Sequence, residues 1–475
     1  MARPEIRVRE LSPVLQEGLD RIRAELRLPE GFAPEVDAAA SDTAARVSPA
    51  GADRLDARDI PFVSIDPPAS RDLDQAYFAE RVGRGYRVRY AIADVAAFVS
   101  SSDPVDLEVR QRGMTLYLPD RRVPLHPEVL SEGAASLLPG DDRPALLWTI
   151  DLDAGAMATD MRLERATVRN REATTYHAVT QAVESGQAAE PLELLREIGE
   201  LRIEREAERN GVSISVPTQE VVPHDSGYRL EYDVPVAAER WNAQVSLLAG
   251  MCAAEIMVDG GVGILRTLPP PDQQVVARLR VTANTLGIPW PEGAGYDDVV
   301  RGLDPTPPAH AAFLTQAVQV LRGSGYEMIG TGEPVPMHSA VAAPYAHVTA
   351  PLRRLVDRFA NEIVLARCAD AAVPSWATDA LPDLPAAMSE AAQRASSVEH
   401  AVVDLIESVL LADQVGEVFD ATIVDVGNDH AEALLREPAV IAPVDGRGRE
   451  LGEAVRLRLR AAEPTTRRVE FEVEP

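Results

Sequence analysis

The chain has 475 residues, 46% hydrophobic and 26% charged, a globular balance with material for roughly two to four domains. Its net charge of −28 argues against indiscriminate nucleic-acid binding, which leaves a basic footprint, and all 47 of its basic residues are arginine. Two cysteines exclude a disulfide framework, and no apolar run reaches the ~20 residues of a bilayer span.

Met1 to Glu10 lacks the apolar core of a secretion signal. With Cys252 and Cys368 both in apolar, helix-like runs, this predicts a cytoplasmic protein with buried thiols and no membrane partner. The arginine bias reads first as genome base composition, although guanidinium groups suit bidentate phosphate contact.

Residues 11–27 predict an amphipathic helix, with Ser12 as N-cap and Pro13 at the first helical position. Residues 28–58 read as a linker or loosely packed wrap, with no β pattern before residue 60. Strands then follow at Phe62–Ile65, Ala76–Val82 and Tyr86–Val95, the last two joined at Gly83-Arg84-Gly85. Further strands are expected at Met114–Leu118, Ala145–Leu152, Arg162–Arg169 and Val212–Pro217, with a polar helix over 189–209. Helices are expected at 236–258, 272–286, 308–322, 351–369 and 383–412. The last sixty or so residues carry five strands (416–426, 430–436, 438–443, 453–461, 466–473), which suit a small OB-type barrel.

Between the first two of these strands lies Asp66-Pro67-Pro68-Ala69-Ser70-Arg71-Asp72-Leu73-Asp74-Gln75. Three carboxylates in nine residues raise one another's pKa unless a cation neutralises them, and oxygen-rich sites select hard ions such as magnesium. Such an ion orients a phosphate and activates water. The same residues also suit a surface loop of turn-forming aspartates. In Tyr345-Ala346-His347-Val348-Thr349-Ala350-Pro351-Leu352-Arg353-Arg354, Thr349 reads as the cap of a helix whose first turn carries both arginines. Free backbone amides and two guanidiniums would make a phosphate receptor, or the arginines pair with surface acids. Tyr117, before Pro119, offers a base-stacking platform or an ordinary core tyrosine. His338 and His347 lack metal-ligand spacing and read as hydrogen-bonding residues.

Taken in order, Asp66-x5-Asp72-Leu73-Asp74, Ile92-Ala93-Asp94-Val95, Tyr117-Leu118-Pro119, Ala135-Ser136-Leu137-Leu138-Pro139-Gly140 and Thr349-Ala350-Pro351-Leu352-Arg353-Arg354 resemble the ribonuclease II (RNB-domain) exoribonucleases. The resemblance covers about residues 58–412. It implies an α+β fold: an RNB catalytic domain, a mixed sheet with packed helices, followed by an OB-type β-barrel. The domains implied are 1–57 (helix and linker), 58–412 (catalytic) and 413–475 (barrel), with too little chain before residue 58 for the two cold-shock barrels of well-known members.

The activity implied is magnesium-dependent hydrolysis of single-stranded RNA from its 3′ end to nucleoside 5′-monophosphates, with manganese as a substitute. Asp66, Asp72 and Asp74 match the catalytic acidic cluster, and Gln75 stands where the family usually has a further aspartate, leaving a carbonyl as metal ligand. Tyr117 matches the aromatic that clamps the terminal nucleotide. Arg353 matches the arginine on the scissile phosphate, with Arg354 beside it as a second contact, and Tyr176 matches a tyrosine near the ribose. Trp241-Asn242-Ala243-Gln244-Val245-Ser246 replaces a segment with adjacent glutamates. The C-terminal barrel has only Phe419 and Phe471 as aromatics, and strand alternation predicts that both are buried. The alternative reading is an RNB-fold RNA-binding protein whose hydrolysis is weakened or lost.

Overall fold

The run at Phe62–Ile65 belongs to a longer strand, Leu55–Ile65, which opens a closed five-stranded barrel. The structure, a computed structural model, describes the chain apart from residues 1–5, 9–10, 52, 69, 215–217, 225–226, 331–333, 427–429, 436–439, 451 and 475; the side chains of 6–8, 218–224, 227–233, 308 and 441 are likewise not described. The barrel continues through Gln75–Val82, Gly85–Ala93, Asp142–Leu152 and Ala158–Thr174, each antiparallel to the one before. It closes by parallel pairing of the first strand with the last, Ile65 opposite Thr174. Closure leaves no open edge, and the wall buries Phe62, Tyr77, Tyr90 and Trp148, each ring contributing about 1.5–3 kcal/mol by leaving water.

The tight turn at Gly83 has φ +60, and a Cβ on Gly85 would lie 2.0 Å from the Leu152 carbonyl oxygen, so neither position tolerates a side chain easily. Helix Glu190–Glu208 covers strand Gln75–Val82 with Leu194, Leu195 and Ile198 and packs on helix Ala237–Asp259. That helix in turn rests on Leu355–Cys368, which lies against the last barrel strand.

The C-terminal sheet is antiparallel in the order Ile441–Asp445, His430–Leu435, Val418–Val426, Ala454–Glu463, Arg468–Val473. Its core buries Phe419, as strand alternation predicts, and sets it edge to face at 5.9 Å against Phe471, which is only partly buried. The chain is therefore an α+β protein with a mixed barrel, packed helices and a terminal OB-like sheet. Long helix Leu384–Leu411 joins the two parts and packs against helix Pro13–Glu25, capped by Ser12 as expected.

Two expectations are corrected. Residues 28–58 contain a helix, Pro34–Arg46, whose only buried stripe is Val36, Ala40 and Thr43; rich in alanine, it shows no strong apolar period. Strands also exist before residue 60, at Ile6–Val8 and from Leu55. The first seven residues of Leu55–Ile65 are largely solvent-facing, so they carry no apolar alternation to read. Helices at Pro104–Arg112, Tyr176–Glu184 and Tyr296–Arg301 and strands at Thr218–His224 and Gly227–Asp233 were not anticipated. Of the expected strand Val212–Pro217, residues 212–214 are irregular and the rest lie outside the described residues, as do 438–439. Among the described residues, no helix is long and apolar enough to cross a membrane.

Candidate active site

One end of the barrel presents the acidic loop. Asp66 follows the end of the first strand and donates its N–H to the Thr174 carbonyl at 3.1 Å, which sets it beside the strand end that leads to Tyr176. Ser136 latches the loop from outside. Its Oγ donates to the Arg71 carbonyl at 2.6 Å and accepts from the Leu73 N–H at 2.9 Å, and Leu137 N–H donates to the Leu73 carbonyl at 3.0 Å. Asp94, by contrast, is a fully buried hub for Arg54 (2.7 Å) and Arg165 (2.6 Å), a structural role.

Loop 349–354 closes over this end. The Leu352 N–H donates to Asp74 Oδ1 at 2.7 Å, and the Arg353 guanidinium, half exposed, stands with Nε 3.6 Å from Asp74 Oδ2. The expected Thr349-capped helix is not formed, because the helix begins at Leu355 with Arg354 as its extended N-cap residue. Pairing of Met114 with Arg354, and of Thr115 N–H with the Arg353 carbonyl at 3.1 Å, holds Arg354 extended after a turn at 351–353. The backbone amides are already engaged: Ala350 on Asp357 at 2.7 Å, Leu352 on Asp74, and Arg353 and Arg354 on the Ala350 carbonyl. These amides are therefore not free to receive a phosphate, and of the two arginines only Arg353 stands beside Asp74. Arg354 is directed instead onto Asp357, through Nε at 3.0 Å and Nη2 at 2.8 Å.

The tyrosines flank the pair. Tyr117 lies in a two-stranded hairpin, Leu116–Tyr117 with Arg122–Val123, directly opposite Arg122, and is 47% exposed. Tyr176 begins helix Tyr176–Glu184, capped by Thr175, and its hydroxyl accepts from Asn242 Nδ2 at 3.3 Å. The segment that replaces the family's glutamates thus reaches this tyrosine with an amide. Ser246, one turn on, shares a hydrogen bond with Thr349 Oγ1 at 2.8 Å. His347 Nδ1 meets the Tyr326 hydroxyl at 2.7 Å and His338 Nδ1 accepts from the Val341 N–H at 3.3 Å, so both histidines hydrogen-bond.

Burial raises Asp66 to about 7 and Asp74 to about 8; Arg353 opposes the rise in both, and Asp72 adds to it. For both carboxylates the cost of burial exceeds what the one nearby guanidinium, Arg353, offsets. Asp72 already has one, the Arg122 guanidinium at 2.6 Å, which also grips Glu132. Gln75 is engaged at both ends: Nε2 donates to the Thr349 carbonyl at 2.7 Å and Oε1 accepts from the Tyr90 hydroxyl. Among the described residues no group of three His, Cys, Asp or Glu side chains is gathered closely enough to hold a metal ion. Asp66 and Asp74 are the carboxylates of the loop whose burial is least offset by positive charge. Asp72 and Gln75, expected as further ligands, are turned to protein partners.

Residues 54–367 match the RNB domain family. The chain belongs to that family. Residues 417–474 match the RNase II-type exonuclease C-terminal S1 domain, which agrees with the terminal sheet. Ribonuclease R of Escherichia coli (strain K12) is 26% identical over 405 residues, 79% of this chain and 49% of that protein. The chain thus spans about half the length of the curated relatives it matches first. Among solved structures, Mycoplasma genitalium RNase R in complex with ribose methylated single-stranded RNA superposes with a TM-score of 0.81 at 18% identity, covering 96% of this chain and 77% of that one. Yeast Ssd1, a pseudonuclease, superposes with a TM-score of 0.69 at 16% identity, covering 98% and 59%. Since a nuclease and a pseudonuclease share the RNB fold, activity has to be argued from the site.

Sequence reading missed three residues that shape the RNB site, Arg122, Tyr90 and His126, whose Nδ1 meets the Leu352 carbonyl at 3.1 Å, and quoted Ser136 within a motif without its contacts. Arg122 had a usable signal, since it lies five residues after Tyr117 across a proline turn. Tyr90 and His126 act on partners 15 and 226 residues away, which leaves no local pattern.

Proposed function

We propose that this RNB protein is a divalent-cation-dependent 3′→5′ exoribonuclease that hydrolyses single-stranded RNA to nucleoside 5′-monophosphates in the cytoplasm. The observation that carries this reading is the Asp74 cradle: one carboxylate oxygen fixed by the Leu352 N–H, the other facing Arg353. A magnesium or manganese ion on Asp66 and Asp74 would supply an activated water and charge neutralisation at the phosphate. Asp66 and Asp74 bring the negative charge such an ion needs, and their raised pKa values fall back as it binds.

The remaining work belongs to the protein's own groups. Arg353, held only at 3.6 Å, keeps guanidinium N–H groups for the non-bridging phosphate oxygens, where they stabilise developing charge. Tyr117, exposed at the rim, offers a ring face to the terminal base. Tyr176, anchored by Asn242 and within the field of Asp66, would contact the ribose. His126 and Gln75 keep loop 349–354 seated on the barrel.

The test is digestion of 5′-labelled single-stranded RNA with magnesium or manganese, with wild-type protein beside Asp74→Asn and Arg353→Ala. The expected result is a ladder shortening from the 3′ end, with loss of roughly 10²–10³-fold in rate for each variant, the usual cost of removing one charge-stabilising group. Intact RNA with wild-type protein that still binds it would replace this reading with that of a non-hydrolysing RNA-binding protein.

A further inference from the structure

Helix Pro13–Glu25 lies outside both regions matched to known families, yet it forms the back of the Tyr117 hairpin. Leu15, Leu19 and Ile22, at helical spacing, share one core with Leu116, Leu118 and Val123 of the hairpin and with Val398, Val402 and Leu405 of the long helix. The approach is close: a Cβ on Gly18 would meet the Leu405 methyls at 2.5 and 2.6 Å. At the hairpin turn, Arg23 Nη1 donates to both oxygens of Asp120, at 3.0 and 2.8 Å, and Nη2 reaches Asp20. Arg23 and Asp120 are 7% and 8% exposed.

The other side of the same hairpin faces the site, presenting Tyr117 to solvent and Arg122 to Asp72. Toward the C-terminus, Arg21 donates to the Thr465 carbonyl and Glu25 pairs with Arg467, both in the turn between the last two strands of the S1-type sheet. One helix therefore touches the substrate-facing hairpin, the long helix and the terminal domain together.

We propose that Arg23 is a positioning residue for substrate binding: its clamp on Asp120 fixes the hairpin so that Tyr117 and Arg122 hold their places beside the RNA 3′ end. The proposal rests on the exoribonuclease reading for its ligand. A buried ion pair is weak evidence of a stabilising role and fits better one that selects a single arrangement of the parts it joins. This pair joins two parts far apart in sequence, at the point where the hairpin would otherwise pivot on a four-residue turn.

The test compares wild type, Arg23→Met, Tyr117→Ala, the double variant, and the exchanged pair Arg23→Asp with Asp120→Arg. KM, kcat and anisotropy-measured affinity are taken on short single-stranded RNA, and thermal midpoints are recorded alongside. Arg23→Met is expected to raise KM and weaken binding about tenfold with kcat nearly unchanged, in the range expected for losing one stacked base. The effect should not multiply with that of Tyr117→Ala, and the exchanged pair should restore part of it. A lowered midpoint with unchanged affinity, or multiplying effects, would show that Arg23 serves stability alone and overturn the proposal. Wild-type protein that neither binds nor cuts RNA would remove the functional reading and this inference with it. Wild type that binds RNA without cutting it leaves the comparison intact through affinity.

Discussion

Gln75 and Thr349 tie the second barrel strand to the loop that carries Arg353, through a hydrogen bond of 2.7 Å from the Gln75 amide to the Thr349 carbonyl. The amide's carbonyl end accepts from Tyr90, whose ring is buried in the barrel wall, so one neutral side chain bridges wall and loop. A carboxylate could accept from Tyr90 but would set an oxygen against the Thr349 carbonyl. Gln75→Glu is therefore expected to cost about 1–3 kcal/mol at about pH 8, the penalty for a lost buried donor, and much less near pH 4, where the protonated acid can donate. Gln75→Asp, a methylene shorter, reaches only one partner and should lower the cleavage rate. Denaturant unfolding at the two pH values and cleavage rates check both, and a faster Gln75→Asp protein would show that this position wants charge more than the bridge.

Ser136 both donates to and accepts from the acidic loop, and both contacts are lost in Ser136→Ala. The Leu73 N–H is then left buried without a partner, at a cost of about 1–3 kcal/mol. Loop 71–74 should loosen, so the cleavage rate should fall more than RNA affinity does. Parallel measurement of both separates the two effects.

Arg122 neutralises Asp72, and this competes with a cation for the same carboxylate. Arg122→Gln releases Asp72 and removes a positive charge next to the centre. Manganese affinity, read by electron paramagnetic resonance without RNA, should tighten roughly fivefold, equivalent to about 1 kcal/mol for one partly screened charge. Unchanged affinity would place the cation away from Asp72.

His126 is buried against the Leu352 carbonyl, and burial lowers its pKa to about 4. Between that value and the ordinary 6.5, the unfolded chain binds a proton that the native protein refuses, so stability rises with pH across this window and is lost as pH falls through it. The loss is on the order of 3 kcal/mol by pH 4. Unfolding curves from about pH 4 to 7 should show this slope in the wild type, and His126→Asn, which keeps an amide donor without the titration, should flatten it.

The order Asp66, Asp72, Asp74, Tyr117, Arg353 was legible because each residue sits at a strand end or turn with its own local pattern. The use of each was not. Arg354 looks identical to Arg353 along the chain, and only the extended pairing with Met114 decides which guanidinium faces Asp74 and which is turned to Asp357. Asp72 and Gln75 read as metal ligands because their partners, Arg122 and Thr349, lie 50 and 274 residues away. The barrel strands were readable where one face is buried, and Leu55–Asp59 escaped because most of its residues meet water. The C-terminal sheet was readable where buried residues alternate, as in His430–Leu435 and Ala454–Glu463.

The parallel seam between Leu55–Ile65 and Ala158–Thr174 also bears on how the protein is made. During synthesis Asp66 emerges long before Thr174, the residue that anchors its backbone, and Asp74 waits longer still for Leu352. Contacts of such separation form slowly, since a large loop must close before they give any return. A nascent chain can therefore build hairpins and helices early while its acidic loop stays unassembled, and the loop is seated only after Leu352 has left the ribosome. The seating of Asp66 and Asp74 is thereby deferred until Thr174 and then Leu352 have emerged.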